Sequence, residues 1–517
     1  MKSFLKRVTA LGCAAVYMSI APGIVTADVS LPWVFGDHMV LQRDADVPVW
    51  GTAQSGEKVT VEMAGITASG TADRSGAWRV NLSPMSAGGP HVMTIKGRNT
   101  IRFEDVMVGE VWLCSGQSNM WWPLERLHDI PADKRIRSDD DLRVMSVWSP
   151  ESRYYGEEPS WNSADPAGLV EFSASAYYFG RGLRDALGVP IGLIHSSMGG
   201  SLPEAWLRTE TLTADPMFKP IVSYWDSLAA AYPAAADDFA KWLDDRKLFN
   251  LGKGPQPPDN IFTFLPKASR YYMRKAGVIY SEQLEPLIPF AFKGVIWYQG
   301  ESSIDRSWQY RRLFPALIKE WRTLWGQGDF PFLFVQIANY GRNGTDPVNS
   351  VPEMREAQLM ALSVPNTAMA VTIDIGEVDV HYNDKWDVGS RLALCALGKA
   401  YGKNVVWQGP MCRSMKREGN AVRVTFDHAE GLKTIGSSNP TGFTVAGADK
   451  TFYPAEARIE NGSVVVSSRT VTEPVAVRYG WDNFPACNLY NGAGLPASPF
   501  RTDDWPGITT GRVCPVN

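Results

Sequence analysis

The chain has 517 residues, more than one core accommodates, so two or three domains are expected. Hydrophobic residues make up 44% and charged residues 21%, which excludes a disordered chain. A formal net charge of -4, with no Lys/Arg run, argues against nucleic acid as a partner. Nineteen tryptophans point mildly toward stacking on sugar rings, although Trp is equally core material.

At the N-terminus, Lys2, Lys6 and Arg7 precede an apolar stretch (8–24) that Val25-Thr26-Ala27 closes with small residues. This pattern is that of an export signal over 1–27, with Asp28 starting a periplasmic or secreted mature chain. Cys13 after Leu11-Gly12 faintly suggests a lipoprotein site, but too little apolar sequence precedes it. No later segment is long and apolar enough to span a membrane. Five cysteines remain after cleavage. Cys114 and Cys395 lie in apolar runs and read as buried thiols, which leaves Cys412, Cys487 and Cys514 as candidates for one disulfide. No spacing resembles a zinc site.

From 28 to 105 short period-two segments (59–63, 78–82, 101–103) alternate with glycine-rich turns, the pattern of a β-sandwich-type region. From 106 to 404 the rhythm changes. Solid apolar runs at 106–113, 144–148, 190–196, 292–298, 330–338 and 367–375 alternate with helical stretches at 173–187, 309–324, 352–362 and 388–400. That alternation predicts an α/β fold whose parallel sheet carries helices on both faces. Residues 209–272 interrupt it with an Ala-rich amphipathic part (227–248) and a Gly/Pro loop, an insertion expected to form a lid or wall. From 405 to 517 the period-two segments return (422–426, 463–467, 475–479). This region either forms a separate sandwich or completes the first one.

The first apolar run of the α/β region is cut off by Ser115-Gly116-Gln117-Ser118-Asn119. Open α/β sheets place their chemistry at such carboxyl edges. A serine nucleophile needs a base, normally histidine, and the chain offers six. His38, His91 and His428 lie in the β-rich flanks. His128 follows Ser118 closely in a polar loop and can at most touch substrate, and His195 sits inside a strand as a core histidine. His381 remains, just past the last strand of the sheet, with acids beside it to orient its ring. Two further strand ends add donors: Ser196-Ser197-Met198-Gly199-Gly200-Ser201, and Trp297-Tyr298-Gln299-Gly300-Glu301-Ser302.

Gly-Gln-Ser-Asn-Met (116–120), Ser-Ser-Met-Gly-Gly-Ser-x-Pro-Glu-Ala-Trp (196–206), Lys-Gly-Val-Ile-Trp-Tyr-Gln-Gly-Glu-Ser (293–302) and Asp-Val-His (379–381) together resemble the sialate O-acetylesterase family of SGNH-type hydrolases. Residues 35–43 are similar to the family's opening strand and 479–503 to its ending, so the resemblance covers nearly the whole mature chain. It implies an SGNH-hydrolase-like sheet flanked by N- and C-terminal β-sandwich-type regions. It also implies Ser118 as nucleophile, His381 as base and Asp379 as its orienting acid. The oxyanion hole would be the Ser118 N–H, a Gly199 or Gly200 N–H and Gln299, with Glu301, Asn119 and Trp297 on the substrate side. In the general SGNH pattern the acid stands three residues before the histidine, where this chain has Val378. Glu377 or a carbonyl is therefore an alternative partner for His381. Residues 279–284 also depart from the family, lacking its Asn and Gly.

These readings make the chain a metal-independent, cofactor-free serine esterase that removes acetyl groups from sialic acid or from plant or host glycans. The second reading is a non-catalytic carbohydrate-binding protein on a hydrolase scaffold; the retained Ser118 and His381 speak against it. No motif order matches a peptidase. The oligomeric state is not written in the sequence.

Overall fold

The apolar run that leads to Ser118 is the second half of one 17-residue strand. A computed structural model describes residues 28–147, 159–166, 168–250, 252–256, 274–341 and 350–514; the expected export signal at 1–27 lies outside them. Seven strands build the N-terminal part: β1 (Val40–Gln42), β2 (Val47–Thr52), β3 (Lys58–Met63), β4 (Ile66–Thr71), β5 (Ala77–Leu82), β6 (Gly88–Lys96) and β7 (Thr100–Gly116). Along β7 the first six residues alternate between exposed and half-buried, whereas every residue from Val106 to Gly116 is buried. The early half pairs antiparallel with β6 and has one wet face; the later half lies in a parallel sheet covered on both. Asp105, at φ +53, stands where the rhythm changes, and its carboxylate accepts from Arg143 at 2.6 Å.

The central sheet adds β8 (Asp139–Ser146), β9 (Asn162–Ala164), β10 (Ile191–Ser197), β11 (Gly294–Tyr298), β12 (Phe332–Gln336) and β13 (Thr367–Val371). Its order is β13-β12-β11-β7-β10-β8-β9, parallel throughout except for β9. This is the α/β class the sequence predicts. Trp148, expected in the second strand, lies outside the described residues. Helices Ala174–Leu187, Ser307–Trp325, Val351–Met360 and Lys385–Lys399 cover the sheet, each within a few residues of its expected bounds. Ser173 caps the first, accepting from the Ala176 N–H at 3.1 Å. Among the described residues no helix is long and apolar enough to cross a membrane.

In the insertion, the single amphipathic stretch expected at 227–248 is two helices, Lys219–Ala231 and Ala235–Asn250, because Pro233 cannot continue a helical ladder. Just before the first, the Met217 carbonyl accepts from Gln309 Nε2 of the sheet's helix Ser307–Trp325 at 2.9 Å. Residues 257–273, which include the end of the expected Gly/Pro loop, are outside the described set.

The question left open for the last region has an answer here. Strands Met411–Glu418, Ala421–Asp427, Ser463–Ser467 and Glu456–Glu460 form one antiparallel sheet, and Phe452–Pro454, Phe443–Ala446, Ala476–Tyr479 and Phe500–Arg501 form another. They enclose a core of their own around Val422, Val445, Val464, Val477 and Phe500, whereas the N-terminal strands share one continuous core with the α/β sheet. The expected disulfide is absent: all five described cysteines are free thiols. Cys412 lies on a strand paired with Phe426, Cys487 lies against Gly442 and Gly480, and the Cys514 N–H donates to Gln309, so the three occupy different neighbourhoods.

Candidate active site

Ser118 is presented by a turn locked to both neighbouring strands. Gly116 at the end of β7 faces Ser197 of β10 and Tyr298 of β11 in register. Its φ of +143 and a space in which a Cβ would come within 2.1 Å of the Tyr298 carbonyl leave room for glycine alone. The Gln117 N–H donates to the Tyr298 carbonyl at 2.9 Å, and the Gly116 carbonyl accepts from Met198 at 3.0 Å. Ser118 then opens a one-turn helix, Ser118–Trp121. Gly199, from the turn after β10, comes against it: a side chain there would begin 3.8 Å from the Ser118 Cβ. The backbone N–H groups of Ser118 and Gly199 have no acceptor among the described residues.

Across this turn stands His381, in the loop after β13. Its Nε2 is 2.9 Å from Ser118 Oγ, so the hydroxyl can donate to the ring in the tautomer that a base requires. The imidazole lies flat on the Trp122 indole, 4.6 Å between centroids and 13° between planes. Burial lowers the His381 pKa, the charge of Asp379 opposes that, and Lys385 and Arg126 add to it. The ring is therefore held neutral and able to accept a proton.

The expected acid meets the ring poorly. Asp379 Oδ1 is 3.8 Å from Nδ1, too far for a hydrogen bond, and its side chain is 73% exposed. The same oxygen accepts from the backbone N–H of His381 at 2.8 Å. Glu377, the alternative, accepts from the Asn383 N–H at 3.2 Å.

Several residues expected in the oxyanion hole or on the substrate side are placed beneath the site. Trp297 is 1% exposed and packs its indole among Trp206, Phe314, Trp321 and Phe332, because that face of β11 is turned to helix Ser307–Trp325. It belongs to the core and offers a sugar no surface. Gln299 is fully buried, and its Nε2 donates to the Ser201 carbonyl and Ser303 Oγ, each at 3.2 Å, so its amide donors are already engaged. Asn119 is buried as well. Its Nδ2 donates to Glu301 Oε1 at 2.6 Å and to the Val380 carbonyl at 3.0 Å, tying the Ser118 turn to the His381 loop. Burial raises the Glu301 pKa, a shift opposed by the Asn119 bond and the charge of Lys385. Gly200, at φ +70, lies beside the guanidinium of Arg274.

The remaining histidines stand much as read from the sequence. His195 is buried, with Nε2 2.6 Å from Ser197 Oγ, and burial lowers its pKa to about 4. His128 braces the base loop through its backbone, accepting from Asn383 Nδ2 at 2.6 Å.

Sequence reasoning missed Trp122, Arg126, Tyr382 and Lys385. The Trp-Trp pair directly after Ser118-Asn119-Met120 was a legible signal for the first. Arg126 lies over both indoles, 4.9 Å from Trp121 and 5.0 Å from Trp122. A lysine at the start of an amphipathic helix carried no signal, since such residues are usually solvated. Among the described residues no group of three or more His, Cys, Asp or Glu is placed to hold a metal ion.

Comparison with known proteins places this geometry in company. A family model for carbohydrate esterases, sialic acid-specific acetylesterase, matches residues 268–399. The chain is 30% identical to the sialate O-acetylesterase of Mus musculus over 90% of its own length and 92% of that protein. It is 29% identical to the Homo sapiens sialate O-acetylesterase, over 91% and 92% respectively. It also resembles the crystal structure of a carbohydrate acetylesterase from Xanthomonas citri, with a TM-score of 0.76, 36% identity, and coverage of 92% of this chain and 100% of that one.

Proposed function

The chain belongs to the sialate O-acetylesterase family and is a carbohydrate acetylesterase; from that premise we propose that Ser118 performs the hydrolysis through an acetyl-serine intermediate. The Ser118 Oγ attacks the acetyl carbonyl carbon while His381 Nε2 takes its proton. The N–H groups of Ser118 and Gly199 receive the oxyanion of the tetrahedral intermediate. Collapse breaks the bond to the sugar oxygen, which leaves as a hydroxyl with the proton from His381. Water, deprotonated by the same nitrogen, then attacks the acetyl carbon; the bond to Ser118 Oγ breaks, the oxygen takes the proton back from His381, and acetate is released. Asp379, 3.8 Å from Nδ1, supports the imidazolium by charge rather than by a hydrogen bond.

The observation that carries this reading is the 2.9 Å approach of His381 Nε2 to a serine on a turn locked between two strands. In this reading Gln299, whose Nε2 is engaged elsewhere, is not an oxyanion donor, Trp297 does not contact substrate, and Asn119 and Glu301 act from beneath. The retired-scaffold reading is dropped, since acetylesterases match over nine-tenths of the chain.

The test is acetate release from acetylated sugar by Ser118→Ala protein: a fall to the uncatalysed background is expected, and wild-type release would end the assignment. For substrate, we propose an acidic acetylated sugar of the sialic acid type, because Arg126, over the Trp122 indole on which His381 lies, puts a cationic group beside the Ser118–His381 pair. Parallel assays on acetylated sialic acid and on neutral acetylated xylan fragments check this, with faster turnover of the acidic sugar expected. We also propose export, with residues 1–27 removed, and a division into regions 28–105, 106–404 and 405–517, of which the first two are joined by β7 and share one core.

A further inference from the structure

A lysine at the first turn of a helix stands against the helix dipole, and a buried ammonium loses its water as well. Lys385 does both. It begins helix Lys385–Lys399 and is 0% exposed. Its Nζ donates to the Tyr382 carbonyl and sits 3.6 Å from the centroid of the Tyr382 ring. A position so costly is expected to be held for what the charge does there.

The surroundings indicate what that is. Val380, His381 and Tyr382 form one short segment, and buried groups hold both residues that flank the histidine. The Val380 carbonyl accepts from Asn119, whose amide is held by Glu301. The Tyr382 hydroxyl is 2.7 Å from the Tyr298 hydroxyl on β11, and its carbonyl accepts from Lys385. Among the described residues the imidazole's close partners are the Trp122 face and Ser118, with Asp379 out of hydrogen-bond reach.

We propose that Lys385 is a positioning residue for the base: together with the Glu301–Asn119 pair, it fixes the peptide that carries His381, the task that a hydrogen-bonded acid performs in a triad. The proposal rests on the reading of Ser118 and His381 as nucleophile and base. A second consequence concerns charge. Lys385 faces Glu301 from the turn after β11, Asp384 from its own helix start, and Glu377 and Asp379 from the base loop. Burial brings its pKa down to about 7 despite these acids. His381 faces Asp379, Lys385 and Arg126, so the ammonium helps to keep the imidazole unprotonated.

The experiment compares kcat, KM and the pH profile of a chromogenic acetyl ester for wild type, Lys385→Met, Lys385→Arg, Glu301→Gln and Ser118→Ala. Lys385→Met is expected to lower kcat by about 10- to 100-fold with KM within about two-fold, since a misplaced base costs turnover rather than binding. Its acidic limb should move to higher pH, because His381 binds a proton more readily without the neighbouring cation. Lys385→Arg should recover part of kcat and return the limb toward its wild-type position. Wild-type kcat in Lys385→Met overturns the proposal, as does a kcat loss in which Arg recovers nothing and the limb stays put. If Lys385→Met fails to fold by circular dichroism, Glu301→Gln decides. A loss of kcat of about 10-fold with KM retained supports the clamp, and unchanged kcat overturns it. Activity surviving in Ser118→Ala would instead sink the underlying nucleophile, whatever the lysine variants do.

Discussion

His381 releases its proton more readily than a solvated histidine because burial disfavours the imidazolium, and the pull of Asp379 only partly offsets this. The sign for activity follows directly. A base with a lowered pKa stays unprotonated to lower pH, so the acidic limb of kcat/KM is expected to have its midpoint below the ordinary histidine value of 6.5. A midpoint at or above that value would count against His381 as the base in this setting. Asp379→Asn removes a charge that is mostly in water, where ion pairs contribute little, so kcat is expected to drop only about five-fold or less. A thousand-fold loss would show the acid working through a hydrogen bond. At this scale the sequence pointed, by elimination among few histidines, to Ser118 and His381, which the fold brings within 2.9 Å of each other. It could not see Lys385, whose role depends on what lies over it.

At the scale of elements, β7 shows why the change in apolar rhythm near residue 106 was legible and why a domain boundary placed there is not a break in the chain. Alternation records one wet face and continuity records two dry ones, so a change of neighbours within one strand reads as a change of region. Gly116 at its end is the element's most constrained position. Gly116→Ala forces a Cβ onto the Tyr298 carbonyl in a backbone conformation that side chains rarely adopt. Loss of soluble protein, or a destabilisation of about 3 kcal/mol or more in denaturant unfolding, is expected. An alanine variant as stable as wild type would mean that the turn is not locked as described. The insertion was less legible: Ala-rich amphipathic sequence on both sides of Tyr232-Pro233 fits one helix as well as two until the proline's missing donor is counted.

Across the whole molecule, the C-terminal β region is joined to the esterase sheet through buried polar contacts that local sequence does not announce. Arg355, on helix Val351–Met360, is fully buried and donates to the Ile337 and Ala338 carbonyls at 3.1 and 2.8 Å. It also donates to the Asp482 and Asn483 carbonyls at 2.7 and 2.9 Å, so one guanidinium fastens the edge of β12 to the second β region. Arg355→Met would leave these carbonyls without their donor in a dry junction, at about 1–3 kcal/mol for each one left unmet. Unfolding in urea is expected to begin at lower denaturant and to lose its single transition, as the C-terminal core separates from the main one. A single transition at the wild-type midpoint would show that the junction does not depend on it.

What the sequence determined by itself was local and periodic: strand against helix, the parallel sheet, the turn at Ser118 and the histidine that lies across it. These depend on residue type and spacing along the chain, which the sequence states outright. Tertiary structure alone decided which groups lie under that turn and which face substrate. Trp297, Gln299 and Asn119 carry the right chemistry for a binding surface, yet the packing of β11 and of the nucleophile turn buries them. Lys385 carries the charge of a solvated residue, yet it is enclosed beneath the base. Burial depends on what the fold brings from hundreds of residues away, and that determines whether a polar side chain contacts a sugar or holds the residue that does.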